Sequence, residues 1–251
     1  VVYGRWIANP TNLFICPSGK EVIMERTSRM LGIALLVLAV SAPAGTQEFE
    51  WVRQFGGVTP SFDACYDVDI YGDIYVCGLT TGALPGQTSS GGYDGYIRRY
   101  DSAGNEIWTR QFGTEAYDQA TRLAVDNTGV YVVGLTSGVF PGQIPIGDDD
   151  CYIRKYDLDG NVLWTRQFGT TGEDWATCVF VHTSGVYVGG AVTGAFPGQQ
   201  WEGDVDCFLR RYDTDGVEAW TVQYGSPDFD MPCGVAVFDN EILVTGLLGE
   251  T

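Results

Sequence analysis

An all-β chain of repeated units is predicted by three observations. A short phrase is written four times with small edits: "FEWVRQFG", "NEIWTRQFG", "NVLWTRQFG" and "VEAWTVQYG". Its tryptophans, Trp51, Trp108, Trp164 and Trp220, are spaced by 57, 56 and 56 residues. Landmarks of unrelated chemistry keep the 56-residue step: Tyr75, Tyr131 and Tyr187; Asp94, Asp150 and Asp206; Tyr100, Tyr156 and Tyr212; and the Pro-Gly-Gln runs at Pro85, Pro141 and Pro197. A period shared by such different residues marks stacked equivalent units.

Within a unit the periodicity is two, the period of strands. In the second unit "TRLAVD" and "VYVVGLT" flank the turn Asn127-Thr128-Gly129, and "CYIRKYD" places Tyr152, Arg154 and Tyr156 on one face. The turn "LDG" then leads into "NVLWTRQFG", where Trp164, Arg166 and Phe168 share a face. Each unit is therefore expected to be four antiparallel strands with Gly, Asp and Asn at the turns. One such sheet cannot hide two apolar faces, but sheets packed face to face around an axis can, which predicts a β-propeller. A β-helix coil is shorter than this period, and a sandwich needs about 100 residues. The recurring Trp51, Trp108, Trp164 and Trp220, with Phe112, Phe168, Tyr75, Tyr131 and Tyr187, are expected to pack blade against blade.

Taken in order, residues 1–23 read as upstream, non-native sequence. Residues 24–44 read as a signal peptide: Arg26 and Arg29, the apolar run Leu31 to Val40, then the small-residue site Ala42-Pro43-Ala44. That run is too short to cross a bilayer as a helix. Residues 45–251 then form a partial propeller. A ring-closing strand is expected over 48–56, blades over about 63–113, 118–169 and 174–225, and a partial blade over 230–249. The count of about 3.5 blades falls short of the usual minimum of four, so the chain reads as a fragment whose missing blades come from the rest of a longer chain.

The pattern "D-x-Y-I-R-K-Y-D-x-D-G-N-x-x-W-T-R-Q-F-G", followed by "V-A-V-D", "G-V-Y-V-x-G" and "P-G-Q", resembles the bacterial β-propeller repeat family SBBP, from Trp51 to about Gly249. The resemblance implies exported, often multidomain proteins, about seven blades in an intact ring, and no catalytic residues to carry over. The chain departs from the pattern where His182 and Phe238 stand at the position of Asp126, and Cys178 at that of Arg122.

The net charge of -18 repels nucleic-acid phosphate, and no basic stripe offsets it, so nucleic acid is not an expected partner. Six cysteines follow Ala44. Export would permit disulfides, with Cys65 and Cys77 placed to meet across a hairpin, while buried free thiols are the other reading. Asp157 with Asp159, and Asp213 with Asp215, resemble the start of a calcium loop but lack its later ligands, so calcium is a weak candidate and no other cofactor is expected. Asp148, Asp149, Asp150, Asp204 and Asp206 read as a solvated charge run at a loop edge, with cation or glycan contact as the functional alternative. His182 is the only histidine, which leaves no material for a multi-histidine metal site or a Ser-His-Asp triad.

These features favour a noncatalytic, secreted or cell-surface propeller that binds a surface protein or glycan, or serves structurally. The alternative is a propeller enzyme, such as a quinone-dependent dehydrogenase or a polysaccharide lyase. The run "GNVLW" resembles the Gly-x-x-x-Trp of quinoprotein blades, but the neighbouring landmarks differ.

Overall fold

The computed structural model describes residues 35–41, 48–58, 61–239 and 241–249. The upstream segment 1–23 and most of the segment read as a signal peptide, including its arginines and its cleavage site, lie outside the described residues.

Short runs rich in Val, Ile, Tyr and Thr, closed by Gly-containing turns, form strands throughout. Residues Leu35–Ser41 form β1, which pairs antiparallel with β2 (Glu48–Phe55), with Ala39 opposite Trp51. The strand read as ring-closing thus has a partner drawn from the apolar run of the leader-like segment.

Three four-stranded antiparallel sheets follow, each in simple sequence order. The first blade contains β3 (Asp63–Tyr71), β4 (Asp73–Thr80), β5 (Asp94–Tyr100) and β6 (Glu106–Phe112). The second contains β7 (Asp118–Asp126), β8 (Gly129–Thr136), β9 (Asp150–Tyr156) and β10 (Val162–Phe168). The third contains β11 (Asp174–His182), β12 (Gly185–Val192), β13 (Asp206–Tyr212) and β14 (Glu218–Tyr224). A two-stranded fourth sheet pairs β15 (Met231–Phe238) with β16 (Glu241–Leu247). This is a β-propeller arc whose sheets do not close into a ring among the described residues.

The core lies between blades. Tyr75, Ile97 and Phe112 of the first blade pack with Leu123, Val132 and Tyr152 of the second. Tyr131, Ile153 and Phe168 of the second repeat that arrangement with Val186, Val188 and Phe208 of the third. The second strands β8 and β12 are buried along their whole length, because each sheet is covered on both faces. Each such aromatic or aliphatic side chain contributes roughly 1.5–3 kcal/mol through burial.

The first strand of every blade carries a bulge. It falls after Cys65, Ala120, Ala176 and Pro232, leaving Tyr66, Thr121, Thr177 and Cys233 unpaired in the ladder. Thr121 Oγ1 uses that position to donate to Ala176 O of the next blade at 2.6 Å, and Thr177 Oγ1 donates likewise to Pro232 O.

Candidate functional site: the blade junctions and the loop face

The repeated phrase works as a clamp between consecutive units. Trp108 Nε1 donates to Leu158 O at 3.0 Å and Arg110 Nε to Gly160 O at 2.8 Å, so β10's preceding turn is gripped by the last strand of the first blade. Trp164 and Arg166 grip Thr214 O and Gly216 O in the same way, at 3.1 and 2.8 Å. On β2, Trp51 and Arg53 grip Ser102 O and Gly104 O at 3.0 and 2.6 Å. Each guanidinium also lies over the indole of its own strand, about 5.4 Å from the centroid for Arg110 and Arg166. The turn glycine is doubly required: Gly160 has φ of 80°, and a Cβ there would sit 3.0 Å from the Trp108 ring. Trp51 and Trp108 are buried, while Trp164 and Trp220 are half-buried.

A second network fixes the loop between strands two and three. Gln167 on β10 accepts from Phe140 N at 3.0 Å through Oε1, and its Nε2 donates to Gly138 O at 2.8 Å and Asp150 Oδ2 at 2.7 Å. Its backbone N–H donates to Gln143 of the Pro-Gly-Gln run at 2.9 Å. Gln111 with Asp94 and Gln223 with Asp206 repeat the arrangement. Asp150 and Asp206 are therefore buried, 2% and 0% exposed, which corrects their place in a solvated charge run. A carboxylate held by a side-chain amide and by loop N–H groups can leave water; Asp150 accepts from Ile146 N and Gly147 N through its two oxygens, and Asp206 from Glu202 N through Oδ2, its buried Oδ1 having no hydrogen-bond partner among the described residues. Asp148 and Asp204 are exposed, and Asp149 is half-buried and accepts from Ser137 Oγ.

A third set of carboxylates escaped the sequence reading. Asp63, Asp118 and Asp174 open β3, β7 and β11, and Asp230 immediately precedes β15; Asp118 and Asp174 each accept from the backbone N–H and hydroxyl of Thr114 and Thr170, and Asp230 from those of Ser226. Asp118, Asp174 and Asp230 each face the carboxylate of the preceding blade across a glycine: a Cβ on Gly169 would lie 2.2 Å from Asp174 Oδ2 and 2.9 Å from Asp150 Oδ1. Burial, and then the Asp150 charge, push the Asp174 carboxyl up to about 7. Their 56-residue spacing from Asp118 onward was the available signal.

The remaining candidates are placed as follows. Asp157 Oδ1 accepts from Asp159 N and Asn161 N at 3.0 and 2.8 Å, and Asp213 Oδ1 from Asp215 N and Val217 N at 3.0 and 2.8 Å. These are Asp-headed turns in which the carboxylate stabilises its own backbone. Among the described residues no group of three or more His, Cys, Asp or Glu is arranged to hold a metal ion. His182 Nδ1 bonds Ser184 Oγ at 2.8 Å, which in turn bonds Tyr187 OH at 2.8 Å. Asp126, Thr128 and Tyr131 make the same chain at the preceding hairpin, so His182 stands in for a turn aspartate. Cys65, Cys77, Cys151, Cys178, Cys207 and Cys233 are all free thiols, four of them buried. Burial pushes the Cys77 thiol well up.

The end of the blades that carries the Pro-Gly-Gln loops holds positions that differ from repeat to repeat. Parallel bridges join Tyr93 to Tyr117, Asp149 to Glu173 and Val205 to Phe229 at three successive junctions. One backbone frame thus carries two phenols, then two carboxylates, then a buried Val205 beside an exposed Phe229. The loops beside them expose Ile144 and Trp201.

Residues 107–141 match the family model described as SBBP, beta-propeller repeat. The chain is also similar to "Regulatory protein FlaEY" of Caulobacter vibrioides, 37% identical over 114 residues; the match covers 42% of this chain and 12% of that protein. The segment matched by the SBBP beta-propeller repeat model runs from β6 of the first blade to the loop after β8 of the second, within the β-propeller arc.

Proposed function

We propose that this chain is a noncatalytic propeller module of an exported protein, presenting its loop face to a cell-surface protein or glycan. One observation carries the reading: residues that recur at each repeat are spent on packing, clamps and loop support, whereas residues at equivalent loop-face sites differ from junction to junction. A constant scaffold that holds variable positions on its loops is what recognition needs. The order of arginine, apolar and small residues between Arg26 and Ala44 supports export. Similarity to a protein named as regulatory supports action by binding, and the much greater length of that relative supports blades or domains contributed by a longer chain.

Cosedimentation with intact cell envelopes tests the reading. The chain should pellet with envelopes, and Tyr93→Ser combined with Glu173→Ser should release it without lowering its melting temperature. Undiminished binding by that variant, or catalytic turnover of an envelope component by the chain, would overturn the proposal.

A further inference from the structure

Tyr66, Tyr93 and Tyr117 converge where the first blade meets the second. The backbone holds Tyr93 and Tyr117 side by side: Asp118 N donates to Tyr93 O at 2.9 Å and Ser137 N to Tyr117 O at 2.8 Å. Their ring centroids are 4.9 Å apart with planes inclined at 43°. Tyr66 is the unpaired residue of the β3 bulge, the position from which Thr121 and Thr177 reach to the following blade. A bulge re-aims its side chain out of the ladder, and here it carries a large phenol instead of a short hydroxyl. Burial and then the neighbouring Tyr93 push the Tyr66 phenol up; burial, then Tyr66, Tyr93 and the Asp149 carboxylate, do the same for Tyr117. Tyr93 and Tyr117 thus form a ring pair at this junction, and the Tyr66 bulge and Asp149 lie near enough for their charges to act on it.

Packing does not explain the triad. Tyr66 and Tyr93 are 39% and 37% exposed, and the equivalent bridge positions accept Asp149 with Glu173, or Val205 with Phe229, on the same frame. Rings held open to water by a rigid backbone are pre-organised for a ligand with both apolar and polar surface. We propose that Tyr66, Tyr93 and Tyr117 form a binding subsite for a neutral saccharide. The ring faces stack on the C–H faces of a pyranose. The phenols, the Asp149 carboxylate and the Gln119 amide, whose Oε1 already accepts from Tyr117 OH at 2.7 Å, exchange hydrogen bonds with sugar hydroxyls. An anionic sugar is disfavoured by the net charge of -18 and by Asp149 itself. The inference rests on reading the loop face as a binding surface.

The test is calorimetric titration of the full chain with cellohexaose and with chitohexaose, joined by tyrosine difference absorbance. Saturable binding to at least one is expected, weakened about tenfold or more by Tyr93→Ala, a loss typical of an aromatic anchor. Tyr66→Thr supplies a second variant that the fold accepts, since threonine occupies that position in two other blades; it should weaken binding with an unchanged melting temperature. Val217→Ser, in the exposed turn between β13 and β14 at the opposite end of the blades, should leave saccharide affinity as it is. Absence of saturable binding to both oligosaccharides, or unchanged affinity in both tyrosine variants, overturns the inference. Retention of envelope binding through these tyrosines without any saccharide binding would sink the saccharide and leave the binding-module reading standing. Loss of both would remove both.

Discussion

Asp174 pairs across β11 and β12 with Val192, at the site where Asp63 pairs with Thr80 and Asp118 with Thr136. Thr80 Oγ1 donates to Asp63 Oδ1 at 2.5 Å, and the Thr136 hydroxyl draws the Asp118 carboxyl down against the rise that burial causes. Val192 has no hydroxyl to give. Burial, with the Asp150 charge behind it, pushes the Asp174 carboxyl up to about 7, opposed only by hydrogen bonds from Thr170 and, more weakly, by Arg210.

This junction should make stability fall as pH rises. Folded Asp174 keeps its proton to about pH 7, while the unfolded chain releases it near 3.8, so the folded state binds more protons in that window. Unfolding free energy should decline between about pH 4 and pH 7 and level off above, by on the order of 2–4 kcal/mol from this group. Val192→Thr should flatten the profile and add about 1 kcal/mol at alkaline pH. Denaturant unfolding of both proteins across that range reads the difference, and superimposable profiles would remove Val192 as the cause.

The Trp clamp should be separable into ring and N–H. Trp108→Ala removes a buried ring that packs on Tyr75 with centroids 6.1 Å apart, and should cost about 3–5 kcal/mol. Trp108→Phe keeps much of that burial and removes one of two donors to Leu158 O, Arg99 Nη1 remaining at 2.5 Å, so a loss of about 1 kcal/mol is expected. Equal losses in the two variants would mean that the hydrogen bond, not the packing, holds the turn.

Gln167 should tolerate no change of charge. Gln167→Glu would set a carboxylate against Asp150 and remove the donor to Gly138 O, a buried like-charge contact that should cost about 3 kcal/mol or more at neutral pH. Acidification should restore part of the loss, because protonating either carboxyl supplies a donor. A variant whose melting temperature is unchanged at neutral pH would show that the loop is held by other contacts.

The period, the strands and the blade-forming role of the tryptophan phrase were legible in the sequence because a repeat samples the same environment several times. Trp108 and Trp164 announce a shared role by recurring in phase. Burial of Asp150 was not legible: its partner Gln167 lies 17 residues away and reads as an ordinary strand residue until the loop folds back over it. Tyr66 was hidden for another reason. The first hairpin is one residue shorter than its successors, so Tyr66 falls in register with Thr121 only after the bulges are aligned. The loop-face pairs were hidden as well, because positions that vary between repeats leave no period to detect.

The last prediction concerns β2 once residues 1–44 are removed, as signal cleavage after Ala44 would do. In the full chain β1 covers one edge of β2, with Leu35 opposite Phe55 and Ser41 opposite Glu48. On its other side β2 is tied to the first blade through Trp51 and Arg53, contacts made by residues that cleavage leaves in place. Removal of β1 therefore bares a ladder of N–H and C=O groups on a strand that remains anchored. An anchored, unpaired edge recruits another strand, from further blades of a longer chain or from a second molecule. Residues 45–251 alone should self-associate with rising concentration, as read by light scattering, whereas the full chain should do so less at matched concentration and salt. Proline at Val52 should suppress the association if the edge is responsible, since proline removes a ladder N–H and blocks strand addition. A shortened chain that stays monodisperse, or one whose association ignores Val52→Pro, would mean that β2 is protected without β1 or that association runs through another surface.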